Sequence, residues 1–511
     1  MKKISLFHLL ILLSSGIFAQ QKNYDITTFG AKGDSSTNNT VAIQKAIDEA
    51  SANGGGRVVI PAGRFVTGVL NLKSNVELHV SANAMLLGST KRTDYGTVKA
   101  SALIVAEKQH HISITGTGTI DGRGREVVAD VDRMLKAGTL QDPSWQTVNP
   151  WGQKRSDESN RPHLLTFGKC DHVTIKGILL KDAACWVETY HECSNLTIDS
   201  IRVQSTAYYN NDGIDIDNCK NVKITRCNVN ADDDGICLKS NNDQAICENV
   251  EISDCVVRSS ASALKFGTAS HGGFKNVMVK NLEIYDTYRS AIALESVDGG
   301  TLENINIENI KATNTGNGIF IRLGHRKKEA PIGKVRNIRI ANVKVEVPAG
   351  KPDKGYEMEG PALRYPHNVF PASITGLPGN PVENVTLENI SITYEGGGSN
   401  TVAHFGLDSL SKVPEKAGDY PEFSMFGELP CWGLYLRHAS GIQLKNVSLQ
   451  YKKADFRPAM VVDDVQLLHV EGLKVPATQP APVIVLKDVP SPTLTALKLP
   501  YDNSKAVMVV K

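Results

Sequence analysis

A four-residue phrase recurs along most of this chain: asparagine, an aliphatic residue, a polar residue and a second aliphatic. It reads Asn75-Val76-Glu77-Leu78, Asn195-Leu196-Thr197-Ile198, Asn221-Val222-Lys223-Ile224, Asn249-Val250-Glu251-Ile252, Asn276-Val277-Met278-Val279, Asn304-Ile305-Asn306-Ile307, Asn337-Ile338-Arg339-Ile340 and Asn384-Val385-Thr386-Leu387. Apolar and polar side chains in alternation mark a strand with one buried face. Their return at similar intervals marks a solenoid, whose coils bury their apolar faces on one another. A second copy follows closely in several coils, as in Asn281-Leu282-Glu283-Ile284, Asn309-Ile310, Asn342-Val343-Lys344-Val345 and Asn389-Ile390-Ser391-Ile392. A third strand emerges when the segments beginning at Asp212, Asp234, Ser262, Ser290 and Asn317 are placed under one another, at separations of 22, 28, 28 and 27 positions. Three short strands per coil describe an all-β fold, a single-stranded right-handed parallel β-helix in which equivalent residues stack about 4.8 Å apart.

Stacking explains several residues without invoking function. Asparagine amides piled at a turn can hydrogen-bond along the axis. Cys193, Cys219 and Cys247 share one column, and Cys227 and Cys255 another, which suits small buried thiols better than a metal site. Nine cysteines cannot all pair within one chain, and parallel side-chain vectors make bridging between stacked neighbours difficult. Residues 40–53 read as an amphipathic capping helix with Val41, Ile43, Ala46, Ile47 and Ala50 apolar, stopped by Gly54-Gly55-Gly56. Such a cap covers the strand edges of the first coil. Insertions at 122–162, 347–381 and 394–432 are placed to wall a cleft. Coil-like alternation continues to Leu499, so residues 20–511 read as one β-helix unit.

Met1-Lys2-Lys3, an apolar stretch over 4–13 and Ala19 before Gln20-Gln21 have the form of a signal peptide of residues 1–19, so a secreted or periplasmic location is expected. No other stretch is long and apolar enough to span a membrane. The net charge of +2 over 511 residues gives no global field for nucleic acid or an anionic membrane. Oligomeric state is not legible.

The chemistry concentrates where the columns bring carboxylates together. Asp212 aligns with Asp234, and Asp233 sits beside it. Like charges a few ångströms apart resist simultaneous ionisation, so one carboxyl is expected to keep its proton while the others stay anionic. A retained acid beside a base is what glycosidic cleavage requires: the acid protonates the leaving oxygen and the others activate water. No metal and no cofactor is expected.

These residues resemble the polygalacturonases and their relatives, glycoside hydrolase family 28. The resemblance runs over nearly the whole chain. It begins with Phe29-Gly30-Ala31-Lys32-Gly33-Asp34 and the run from Gly54 to Gly63, an entrance shared with other β-helix pectinases. It becomes specific at Asn210-Asn211-Asp212, which is similar to the family's Asn-Thr-Asp, and at the pair Asp233-Asp234. The resemblance implies a pectic polysaccharide or oligosaccharide as substrate, Asp233 as general acid, and Asp212 with Asp234 holding the water. Two motifs depart from the family. Ala261-Ser262-Ala263 stands for Gly-His-Gly, and Ala293-Leu294-Glu295 stands for the Arg-Ile-Lys that contacts the substrate carboxylate. Rhamnogalacturonan hydrolases of the same family also lack the histidine motif, so a branched or alternating pectin fits as well as polygalacturonan.

Lys265 and Arg289 are the nearest cations that could replace the lost ones, with structural salt bridges as the equal alternative. His271 and Arg322 are further substrate-binding candidates, although His271 also reads as an exposed turn residue and Arg322 as an ion-pair partner of Glu295. Asp217 with Lys239 reads as a structural pair. Trp145 and Trp151 could stack on sugar rings or lie buried under their loop. Two rival readings share the fold: a pectate lyase using the aspartates to bind calcium, and a non-catalytic polysaccharide-binding scaffold.

Overall fold

The computed structural model describes residues 22–398 and 405–510; the expected leader lies outside them. All strand pairing between the named strands is parallel, and the strands join into one continuous sheet wound on itself as a right-handed parallel β-helix. The expected columns are in register: Ile214 pairs with Ile236, Ile236 with Leu264, Leu264 with Ile292 and Ile292 with Ile319. Their side chains are fully buried and belong to one core running the length of the solenoid. No helix among the described residues is long and apolar enough to cross a membrane.

The asparagine ladder is built on the backbone. Asn195, Asn221, Asn249, Asn276, Asn304, Asn337 and Asn384 all have φ between 53° and 59°, the left-handed region that asparagine tolerates better than most residues. Each amide from Asn221 onward donates to the side-chain oxygen of the asparagine one coil earlier, at 3.1–3.3 Å. A second ladder runs Asn281, Asn309, Asn342, Asn389 and Asn446 at 3.0–3.2 Å. The nine cysteines are buried and unpaired. Glu188 stands in the core column below Ile214, where Tyr190 donates to it at 2.6 Å and burial pushes its carboxyl up to about 8.

Helix α1 (Thr40–Ala52) covers the open end with Ile43, Ala46, Ile47 and Ala50. Val41, expected on that face, instead points to solvent at 83 % exposure, because two residues before Ile43 it stands about 200° round the helix from the buried face. A side chain at Gly55 would lie 2.6 Å from the Asn75 carbonyl, which explains the glycine stop.

The insertions are ordered bodies. Residues 122–162 carry an unforeseen helix, α2 (Gly124–Lys136), whose Val131, Met134 and Leu135 pack with Leu140 into a small core flanked by Trp145. The 347–381 segment is only partly an insertion, since Ala372–Thr375 is a coil strand paired on both sides. Residues 394–432 lay Leu410, Val413, Phe423, Phe426 and Leu429 over the outward-facing Ala293 and Phe320, making a second apolar core outside the solenoid. Replacing Asn304 with alanine removes two ladder bonds and leaves a strained φ, so stability is expected to fall by about 1–2 kcal/mol. Asn304→Gly, free of the Cβ clash, is expected to lose less, as read by denaturant titration of both variants.

Candidate active site

Strands β1 (Glu188–His191), β2 (Ile214–Asp217), β3 (Ile236–Ser240) and β4 (Leu264–Ser270) form one wall of the solenoid. Two residues ahead of the first three lie Trp186, Asp212 and Asp234, tied coil to coil by Val187 N–H to the Asp212 carbonyl and Gly213 N–H to the Asp234 carbonyl, both 2.9 Å. Strict alternation would send Asp233 and Asp234 to opposite sides. A bend resolves this: Asp232 makes an isolated backbone bridge to Asn211, and Asp233 precedes the strand proper. One oxygen from each of Asp212, Asp233 and Asp234 lies within 4.8 Å of the others.

The first asparagines of the motif divide the work. Asn211 is fully buried and locks the chain, donating to the Ala183 and Cys185 carbonyls at 3.0 and 2.8 Å and accepting from Ser205. Asn210 accepts from Arg161 at 2.7 Å and from Arg155 of the 122–162 insertion, while its amide lies 3.5 Å from Asp233.

Two buried ammonium groups hold the carboxylates. Lys265 Nζ is 2.9 Å from Asp234, and Lys239 Nζ is 3.2 Å from both Asp212 and Asp215. Burial alone would raise Asp234, but Lys265, Lys239 and Arg289 outweigh it and hold that carboxyl below the usual range. Asp233 is pushed up by burial and by the Asp234 charge. Asp212 is also pushed up, by burial and by Asp215 against the opposing Lys239. The surroundings thus favour the anion at Asp234 and the protonated form at Asp233 and Asp212.

The cleft above the carboxylates has a volume of about 290 Å³. Of the expected binding residues, Lys265 and Arg289 line it; Arg289 lies 3.5 Å from Glu422. His271 and Arg322 do not. His271 is half-buried and 3.9 Å from Asp298, and Arg322 is buried under the 394–432 insertion, donating to the Gly376 and Glu415 carbonyls at 3.1 and 2.6 Å. Arg322 is in register with Glu295 yet makes no ion pair with it, because carbonyls at Gly376, just past a coil strand, and at Glu415 of the insertion take its guanidinium instead. Glu295 remains buried beside Lys265, its carboxyl pushed up to about 7 by burial. Asp217 is held by His191 at 2.8 Å and Asn241 at 3.0 Å rather than by Lys239, whose long stem instead serves the two buried carboxylates that need a counter-charge.

Trp151 lines the cleft, whereas Trp145 belongs to the small core by α2. Sequence reasoning missed Trp186, Arg326 and Tyr420, which also line it. Trp186 was within reach, since it stands in the column of Asp212; the ring lies 4.8 Å from Lys239 Nζ. Tyr420 lies in an insertion without periodicity and gave no signal.

The wound parallel sheet thus carries, on one wall, a cleft of clustered carboxylates flanked by tryptophans. The family described as "Glycosyl hydrolases family 28" matches residues 51–407, and the chain belongs to it. It is 26% identical over 330 residues to the "Probable polygalacturonase" of Vitis vinifera, covering 61% of this chain and 59% of that one. It is 27% identical to the "Exo-poly-alpha-D-galacturonosidase" of Dickeya chrysanthemi, covering 52% and 50%. The matches thus span about half to three-fifths of these relatives. A hyperthermoactive exopolygalacturonase from Thermotoga maritima shares the fold with a TM-score of 0.57 and 24% identity, covering 73% of this chain and 87% of that one.

Removing the Lys239 cation, whose charge opposes the rise at Asp212, is expected to make Asp212 hold its proton to still higher pH. Carboxyl-carbon NMR of Lys239→Met and Lys239→Arg checks this, with the arginine variant expected to stay close to the parent.

Proposed function

We propose that the protein is an exported hydrolase that cleaves a pectic polysaccharide or oligosaccharide by acid/base catalysis, with inversion at the anomeric carbon. Asp233, half-buried and open to the cleft, donates the proton to the leaving oxygen. Asp234, kept anionic by Lys265, and Asp212, once deprotonated beside Lys239, hold and activate the water. The observation that carries this reading is the pair of buried lysines on the carboxylates. A calcium-dependent lyase needs the same carboxylates free for the ion, and here two ammonium groups already occupy them. The leader-like start supports export, and family membership supports the substrate class.

One feature favours a second stereochemical reading. Oxygens within 4.8 Å are closer than the roughly 6.5–9.5 Å between carboxyls of many inverting glycosidases, and nearer the ~5 Å at which a carboxylate acts as nucleophile. NMR of fresh product decides: inversion is expected, and retention overturns the water-holding roles. Asp233→Asn, which changes the acid without changing its shape, is expected to lower turnover by about 10²–10⁴-fold with substrate binding kept. Unchanged turnover removes Asp233 from the mechanism.

The cleft's charges point away from plain polygalacturonan. Ala293 lies in the outer apolar core and Glu295 is buried, where the family's Arg and Lys meet a uronate. The other cations lining the cleft have partners: Lys239 and Lys265 on the aspartates, Arg289 near Glu422, Arg326 on Asp298 at 2.6 Å, and Arg155 on Asn210 with Glu158 at 3.9 Å. A rhamnose-containing backbone, or second a short galacturonate-terminated oligosaccharide, avoids the loss of charge-assisted contacts of about 1.5–3 kcal/mol each. Turnover is therefore expected to be faster on purified rhamnogalacturonan than on polygalacturonan; the reverse order overturns the preference.

A further inference from the structure

We infer that the cleft is blind at one end, so that the protein takes the end of a sugar chain rather than its interior. This rests on the hydrolase reading above and deepens it. A polymer lying along the wall of a solenoid follows the outward-facing columns from coil to coil. Beyond Lys265 that column continues through Ala293 and Phe320, which are 0 % and 1 % exposed. Both are covered by Leu410, Phe423 and Phe426 of the 394–432 insertion. Sugar cannot continue over a face already closed by packed apolar side chains without opening that core.

The same insertion supplies the end wall. Tyr420 sets its hydroxyl 3.1 Å from Lys265 Nζ, and Glu422 lies 3.5 Å from Arg289. The roof closes from the other side. Trp151, carried by the 122–162 insertion, meets the Tyr420 ring edge to face, with centroids 5.3 Å apart and planes at 82°. Two insertions separated by more than two hundred residues thus touch above the carboxylates. The cleft left beneath this contact has a volume of about 290 Å³, just below the roughly 300–1,000 Å³ typical of small-ligand sites, which suits a short terminal piece of a sugar chain. The open approach runs past Trp186, one coil before Asp212, a half-buried ring that lines the cleft beside Lys239. Tyr420 and Trp151 are on this account the residues that make the site select a chain end.

Two measurements on the full chain test this. In the first, a pectic backbone that the enzyme turns over is followed by size-exclusion chromatography and product analysis from the earliest times. The expected result is release of a mono- or disaccharide while the polymer peak scarcely moves. A ladder of intermediate oligomers with early collapse of the polymer peak overturns the blind end and leaves the hydrolase reading standing. In the second, Asp233→Asn is titrated onto backbones of several lengths. Bound protein per chain is expected to stay constant as the chains lengthen; a number growing with length means interior binding and overturns the inference. The absence of both turnover and binding on every pectic backbone sinks the hydrolase reading itself, and this inference with it.

Discussion

In-register parallel stacking is the constraint from which the rest follows. Each residue sits about 4.8 Å above its counterpart one coil earlier, so any side chain repeated in a column meets a copy of itself. For Ile and Val that is favourable packing, and for asparagine it is a hydrogen-bonded ladder. For aspartate it is a conflict. Asp212 under Asp234, with Asp233 turned beside them by the bend at Asp232, is a concentration of charge that the backbone imposes and the side chains cannot relax away from.

The protein answers that conflict locally. Lys239 and Lys265, from the next two coils, reach the carboxylates from within the wall, and both are buried enough that each charge is stable only with its partner. The compensation is uneven: Asp234 has Lys265 and two further cations acting on it and stays anionic, while Asp233 and Asp212 are pushed the other way. That asymmetry is what the proposed division into an acid and a base draws on. The strand scaffold fixes the spacing, and the neighbouring cations fix which carboxyl carries charge.

What could be seen in the sequence was what repeats. The three-strand coil, the asparagine and cysteine columns, the capping helix and the Asp212–Asp234 alignment all come from periodicity, and all appear in the structure. What does not repeat was read less well. The bend that redirects Asp233 breaks alternation, so no periodic pattern announces it. Lys239 was given to Asp217, directly beneath it in the same column, because column logic ignores how far a lysine stem can swing. Arg322 was given to Glu295 for the same reason, although the Gly376 and Glu415 carbonyls offered better acceptors. Tyr420 and the outer apolar core belong to a long-range contact between insertions, which no local pattern encodes. Trp186 was legible in principle, one coil before the aligned column that begins at Asp212.

The central claim is that the sugar bond is cut over these three carboxylates, with Asp233 on the leaving oxygen and water held by Asp212 and Asp234. A crystal structure of Asp233→Asn with a pectic oligosaccharide tests it most directly. The account predicts the glycosidic oxygen within hydrogen-bond reach of the side chain at position 233, a water bridging Asp212 and Asp234 towards the anomeric carbon, and the sugar chain leaving past Trp186. A cation seated among the carboxylates with a uronate bound to it, or sugar bound away from all three, would contradict it.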